Sequence, residues 1–437
     1  MTTRRPPVIV RLAAVLTAAG LASGIATIGI PPAGAGDWPQ ILGPSRDGVA
    51  AADEQLAAVW PPTGPRVQWS RTVGSGYAGV AVTGDTVVLF HRIDDREVVE
   101  ALDAATGASR WQDGHATRFR PQVGGGDGPL CVPVIHDPPD ADGLPGGGGS
   151  VIIFGPQGVL SCHDLTTGRR RWSRDTHREF GGVEGYFGAG STPVVVGDRV
   201  VVNVGGARQE AGLVALALDS GATLWQATSE AASYAAPIVV DVDGRPHVLV
   251  VTRLSCLLVD PADGGVRWSF PFGQRGPTVN AATPVVPTTG RLLVTASYGV
   301  GSVLAAFDGK AARPLWQGIE PLASQYCTPV VRGGDVYCID GRDDLPPADL
   351  VCFEAETGRE RWRERGFGYG TLLAADGKLL AVKAGGEIVL LAENPARFEP
   401  LARARPLPGT LRALPALAGG RLYVRDDTTL VCLDLGR

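Results

Sequence analysis

The chain has 437 residues, among them 60 Gly and 34 Pro, and 44% of it is hydrophobic. So much Gly and Pro excludes a helical protein and suits many short strands joined by tight turns, in an all-β architecture that can exceed the usual domain length as one unit. With 40 Lys+Arg against 45 Asp+Glu, and a net charge of −5, no basic field is present to draw the chain to nucleic acid.

Residues 1–36 read as an export signal. Arg4, Arg5 and Arg11 precede an uncharged apolar run over 12–30, and Ala33, Gly34 and Ala35 offer the small-x-small pattern that a signal peptidase reads. The same run is long enough to span a bilayer, so an uncleaved N-terminal anchor is the rival reading. Both place the rest of the chain in the periplasm or outside the cell, as a monomer with no further membrane span. None of the seven cysteines lies in or just after the signal, so no N-terminal lipid attachment is expected. Neither a haem attachment nor zinc spacing occurs.

Residues 37–65 precede any repeat and are expected to form an extension on the surface of the domain, with Trp38 and Trp60 outside its ring. The next segment, 66-RVQWSR, reads as a Trp-bearing strand with no hairpin before it.

From residue 78 onward one pattern recurs. A strand and turn, as in 192-TPVVVGDRVVV, lead through further strands into a Thr-Gly-type turn and a Trp, as in 101-ALDAATGASRW and 352-CFEAETGRERW. Gly107, Gly168, Gly221, Gly264 and Gly358 each stand four residues before a Trp, and only the Trp316 unit departs, with Ala312. A Gly at fixed offset fits a hairpin turn that needs positive φ. Each unit reads as a four-stranded antiparallel meander that buries its faces only by stacking on neighbours around an axis.

Six units carry the Trp, at about 78–112, 131–174, 191–227, 235–270, 282–318 and 327–364; a seventh at 370–403 lacks it. The eighth, 413–435, lacks its last strand, which 66-RVQWSR supplies. The expected fold is therefore an eight-bladed β-propeller over 66–437, closed by its N-terminal strand. Trp69, Trp111, Trp172, Trp225, Trp268, Trp316 and Trp362 are its expected docking residues between blades. The insertion at 113–149, with 124-GGGDGPL and 146-GGGGS, is expected to be mobile at its Gly-rich ends.

The Asp-x-x-Thr-Gly-x-x-x-Trp turn resembles the tryptophan-docking motif of the quinoprotein alcohol dehydrogenase-like superfamily, and 37-DWPQILGPSRDGV is similar to the opening of pyrroloquinoline-quinone-like (PQQ-like) repeat proteins. The resemblance covers 37–437. It implies one of two functions. The catalytic branch holds PQQ between a tryptophan and a disulfide of adjacent cysteines, beside calcium and an Asp base. This chain has no adjacent cysteines and lacks that branch's long insertions. The other branch, the BamB-like outer-membrane assembly factors, is a periplasmic scaffold without chemistry. The reading favoured is a non-catalytic scaffold that binds a protein, polymer or small ligand of the cell envelope, with no cofactor; the alternative is a PQQ- and calcium-dependent dehydrogenase with an atypical pocket.

Candidate sites are few. Asp103, Asp164, Asp260 and Asp308 share one register and read as turn caps. The six His residues are scattered without metal spacing. Tyr77, Tyr234, Tyr326 and Tyr369 share a position at the start of the innermost strand, where they would either line one mouth of the central channel and face a ligand or pack at the blade entries with their hydroxyls satisfied locally; Leu130, Gly190, Ala281 and Arg412 hold it in the other blades. A hairpin folded symmetrically about Leu345 would set Cys338 opposite Cys352 as a disulfide, with Cys327 as the rival partner of Cys338 and free buried thiols as the other reading.

Overall fold

The computed structural model describes residues 1–2, 36–138 and 148–436. Residues 3–35 of the export signal or anchor, and residues 139–147 with the first two glycines of 146-GGGGS, lie outside the described residues. No helix among them is long and apolar enough to cross a membrane.

Eight antiparallel sheets form the blades of a β-propeller. In chain order the inner strands (A) of seven are Val80–Thr83, Val134–His136, Val194–Val196, Ile238–Val242, Val330–Arg332, Gly370–Ala375 and Ala416–Ala418. Blade five departs from the pattern. Its sheet has three strands, and its inner segment makes only the bridge Val285 to Leu293. Pro284 and Pro287 flank that bridge, and neither can donate to a ladder. Blade eight closes as expected: Arg66–Thr72 pairs antiparallel with Thr429–Asp434, as the outermost strand of the last sheet.

The repeat has a direct physical meaning. Each of the seven docking Trp indoles donates to a backbone carbonyl in the turn between the third and fourth strands of the next blade, from Trp69 to Ala104 at 3.0 Å and Trp111 to Leu165 at 2.9 Å through to Trp362 to Asn394 at 3.0 Å. The Gly in that turn has positive φ, 72° at Gly168, and a Cβ there would lie 2.5 Å from the Trp111 ring. The motif Gly is thus required twice, by its backbone and as the floor under its neighbour's indole. The Asp register caps the turn: Asp103 accepts from the Ala105 and Thr106 N–H groups and the Thr106 hydroxyl. Arg110, Arg171 and Arg267, each just before its Trp, pair with the same Asp register.

Two expectations are corrected. Trp38 does not lie outside the ring: it is 1% exposed, pairs by two backbone bonds with Val82, and packs where a Cβ on Gly43 would meet its ring at 2.9 Å. Cys338 and Cys352 do not face each other, because the ladder pairs Cys338 with Val351 and Cys352 with Tyr337. That is one residue away from the symmetric fold about Leu345, and one residue puts the two sulfurs on opposite faces of the sheet. All seven cysteines are buried free thiols, and Cys338 donates to the Cys327 carbonyl at 3.3 Å.

Candidate functional site

Several members of the register starting each inner strand come into contact with one another or with a shared loop, and they divide by role. Blades six, seven, eight and one follow one another around the axis and contribute Tyr326, Tyr369, Arg412 and Tyr77. The Tyr326 and Tyr369 rings meet edge to face, 4.6 Å between centroids. Tyr369 is structural: its hydroxyl oxygen accepts from the N–H of Tyr326 at 2.6 Å and of Cys327 at 2.9 Å, and burial pushes its pKa well up. The Tyr326 hydroxyl is buried without a hydrogen-bond partner among the described residues, and burial raises its pKa too.

Arg412 was seen in the sequence only as an exception to the tyrosine register, yet it organises this side of the mouth. Its guanidinium lies 5.8 Å from the Tyr77 ring centroid and donates to Asp343 at 2.8 Å. Asp343 belongs to the long hairpin loop of blade six, which reaches past blade seven to form a lip. Gln325 holds that lip, accepting from the Asp343 N–H at 2.9 Å and donating to the Tyr298 hydroxyl at 2.8 Å. The sequence signal was the charged stretch 341-GRDDLPP in the longest hairpin joining the second and third strands of a blade.

The Gly-rich segment expected to be mobile is tied to Tyr77. A Cβ on Gly126 would stand 3.4 Å from the Tyr77 ring, Gly128 lies against Ser75, and Asp127 accepts from the Ser75 hydroxyl at 2.7 Å. Its glycines serve close approach. Tyr234 stands across the mouth, beside a cavity of about 260 Å3 lined by Gln122, Glu184, Tyr186, Arg253 and Asn280. Its hydroxyl accepts from the Phe187 N–H at 3.0 Å, so it is locally satisfied, and burial raises its pKa to about 12.

The opposite mouth is crossed by residues 37–57, a strap over the inner strands. Ile41 and Leu42 pack with Val132 and Ala236. Arg46, 2% exposed, donates to the carbonyls of Thr192, Pro193 and Pro237, and burial lowers its pKa to about 9. A charge so buried is held by its hydrogen bonds to three carbonyls. No sequence pattern marked this residue.

Among the described residues no three His, Cys, Asp or Glu side chains converge as metal ligands. Of the nine tryptophans, seven donate across blade junctions, Trp38 is buried within the strap and Trp60 packs on the core shared by blades one, seven and eight. His91 and His163 are buried, which holds their pKa values down at about 3 and about 4.

Over residues 94–364 the sequence matches the family described as outer membrane protein assembly factor BamB. The chain belongs to that family. Among solved structures, BamB from Moraxella catarrhalis is similar at 19% identity and a TM-score of 0.59, over 85% of this chain and 99% of that one. The quinohemoprotein alcohol dehydrogenase ADHIIG from Pseudomonas putida HK5 is similar at 14% identity and a TM-score of 0.60, over 94% of this chain and 81% of that one. The propeller is thus common to BamB-family proteins and to quinoprotein dehydrogenases, and at such identities the likeness shows the fold alone. No protein of curated function matches the chain.

Proposed function

We propose that this BamB-family protein is an exported, non-catalytic scaffold that binds a protein partner of the cell envelope at the mouth formed by Tyr77, Arg412, Asp343 and Tyr326. The observation that carries this reading is the division of labour among its aromatic and charged residues. The tryptophans and the Asp register hold blades together, whereas Tyr77 and Arg412 remain at a rim of mixed charge and aromatic surface. Tyr and Arg are the residue types that anchor protein interfaces. The family's description as an assembly factor of the outer membrane supports a partner in the envelope.

The experiment is photo-crosslinking in the producing cells, with a benzophenone side chain at position 77, in an otherwise native background and in Arg412→Glu. The expected result is one envelope protein joined to the native background and lost in Arg412→Glu. Pyrroloquinoline quinone and calcium supporting dye-linked alcohol oxidation by the purified protein would overturn the scaffold reading.

A further inference from the structure

The strap completes the inner lining of some blades and leaves others open. In an antiparallel ladder, a non-hydrogen-bonded pair points its N–H and C=O away from the partner strand. On the inner strands these groups point to the axis, once per blade in a fixed register. In blade one they belong to Val82, which exchanges bonds of 2.8 and 2.9 Å with Trp38. In blade two the Ile135 N–H donates to Pro39 at 2.8 Å, and in blade seven Ala374 donates to Gly48 at 2.8 Å and accepts from Ala50 at 2.9 Å. The strap therefore binds blades one, two and seven as an added extended segment.

The equivalent residues of blades four, five and six are Val239, Val286 and Val331. Val239 pairs with Val248 and Val331 with Val336, while Val285 takes both bonds of its bridge and turns Val286 to the axis. No described residue bonds these axis-facing groups. Val82, Ile135 and Ala374 are buried, whereas Val239, Val286 and Val331 are half-buried. All three line one cleft of about 600 Å3, with Asp47 and Asp241 beside them, which is within the roughly 300–1,000 Å3 of ligand-sized clefts.

We propose that this cleft binds an extended segment of a partner protein, which bonds through its main chain to Val239, Val286 and Val331 and so continues the lining that the strap begins. Strand addition draws affinity from main-chain bonds and specificity from alternate side chains. The chain itself shows the occupant's form, since the strap is an extended segment in the same register on the neighbouring arc. Charge selects its composition. The two cations of the cleft are already engaged, Arg46 by carbonyls and Arg332 by Glu393 at 2.8 Å. Asp47, whose carboxyl is pushed up by burial, accepts the Val49 N–H at 3.0 Å, with the charge of Arg332 the one cation acting on it. An apolar, β-branched segment carrying basic residues is complementary. This site lies on the face opposite Tyr77 and Arg412 and is independent of them.

The test uses the purified full chain and a labelled peptide of sequence Lys-Val-Thr-Val-Lys-Val-Thr, followed by fluorescence anisotropy. Saturable binding is expected, weakened by about tenfold or more when alternate peptide nitrogens are methylated. Val286→Pro removes one axis-facing donor without touching a ladder bond and should weaken binding similarly, while Tyr77→Ala leaves it unchanged. Should Val286→Pro melt early, Val331→Lys keeps the backbone and repels the basic peptide. Absence of saturable binding overturns the proposal. So does binding indifferent to N-methylation and to Val331→Lys, or self-association of the protein that these substitutions abolish, which would make a second copy the occupant.

Discussion

The backbone N–H of Ala57 donates to the carbonyl of Leu435 at 2.8 Å, and Leu435 stands in blade eight where Ala104, the acceptor of the Trp69 indole, stands in blade one. Blade seven has no Trp to reach it. The strap fills the place with Ala57, and Trp60 just beyond it packs on the same core as Ala402. Deleting residues 36–65 while keeping Arg66–Thr72 should leave a folded propeller that melts earlier, from an opened seam between blades seven and eight. Deleting through residue 75 also removes the closing strand, bares a sheet edge and should yield aggregated protein. Thermal melts and size-exclusion profiles check both; equal behaviour of the two truncations would refute this division.

Burial makes Trp38 as costly to remove as a docking Trp. Trp172→Ala and Trp38→Ala should each destabilise by about 3–5 kcal/mol, the range for large aromatic deletions in a core. Denaturant titration reads both values, and a loss at Trp38 below ~1 kcal/mol would show that the strap contributes little.

Gly168→Ala and Gly197→Ala separate two effects of one methyl group. Both residues have positive φ, 72° and 58°, but a Cβ on Gly168 strikes the Trp111 ring whereas one on Gly197 meets open space. Gly197→Ala should cost about 1 kcal/mol of backbone strain. Gly168→Ala should cost about 1–3 kcal/mol more from overpacking. Matched urea curves decide it; equal costs would remove the second role of the motif Gly.

Acid should loosen blade one. His91 is held at about 3 by burial, then by the charges of Arg425 and Arg71, against its ordinary 6.5; Glu100 stands 3.7 Å away. A depressed histidine pKa means that the unfolded chain binds the extra proton first. Stability is therefore full above about pH 6.5 and falls as pH drops toward 3, on the order of a few kcal/mol for such a shift. His91→Gln should flatten the slope of melting temperature against pH over that window, and an unchanged slope would assign the acid sensitivity elsewhere.

The sequence by itself determined the blade number, the closure by 66-RVQWSR and the docking tryptophans. Those rest on contacts between adjacent blades, and the same geometry recurring at each junction leaves the same residues at the same offsets, as at Gly168 and Trp172. The tertiary structure alone decided three other matters. A one-residue difference in hairpin register sent Cys338 and Cys352 to opposite faces, and spacing read about an assumed centre does not resolve one residue. Four tyrosines of one register proved unequal, because the partners of their hydroxyls come from neighbouring loops that do not repeat. The path of residues 37–57 across the channel left no periodic trace, since Arg46 and Trp38 are each held once, by strands far apart in the chain.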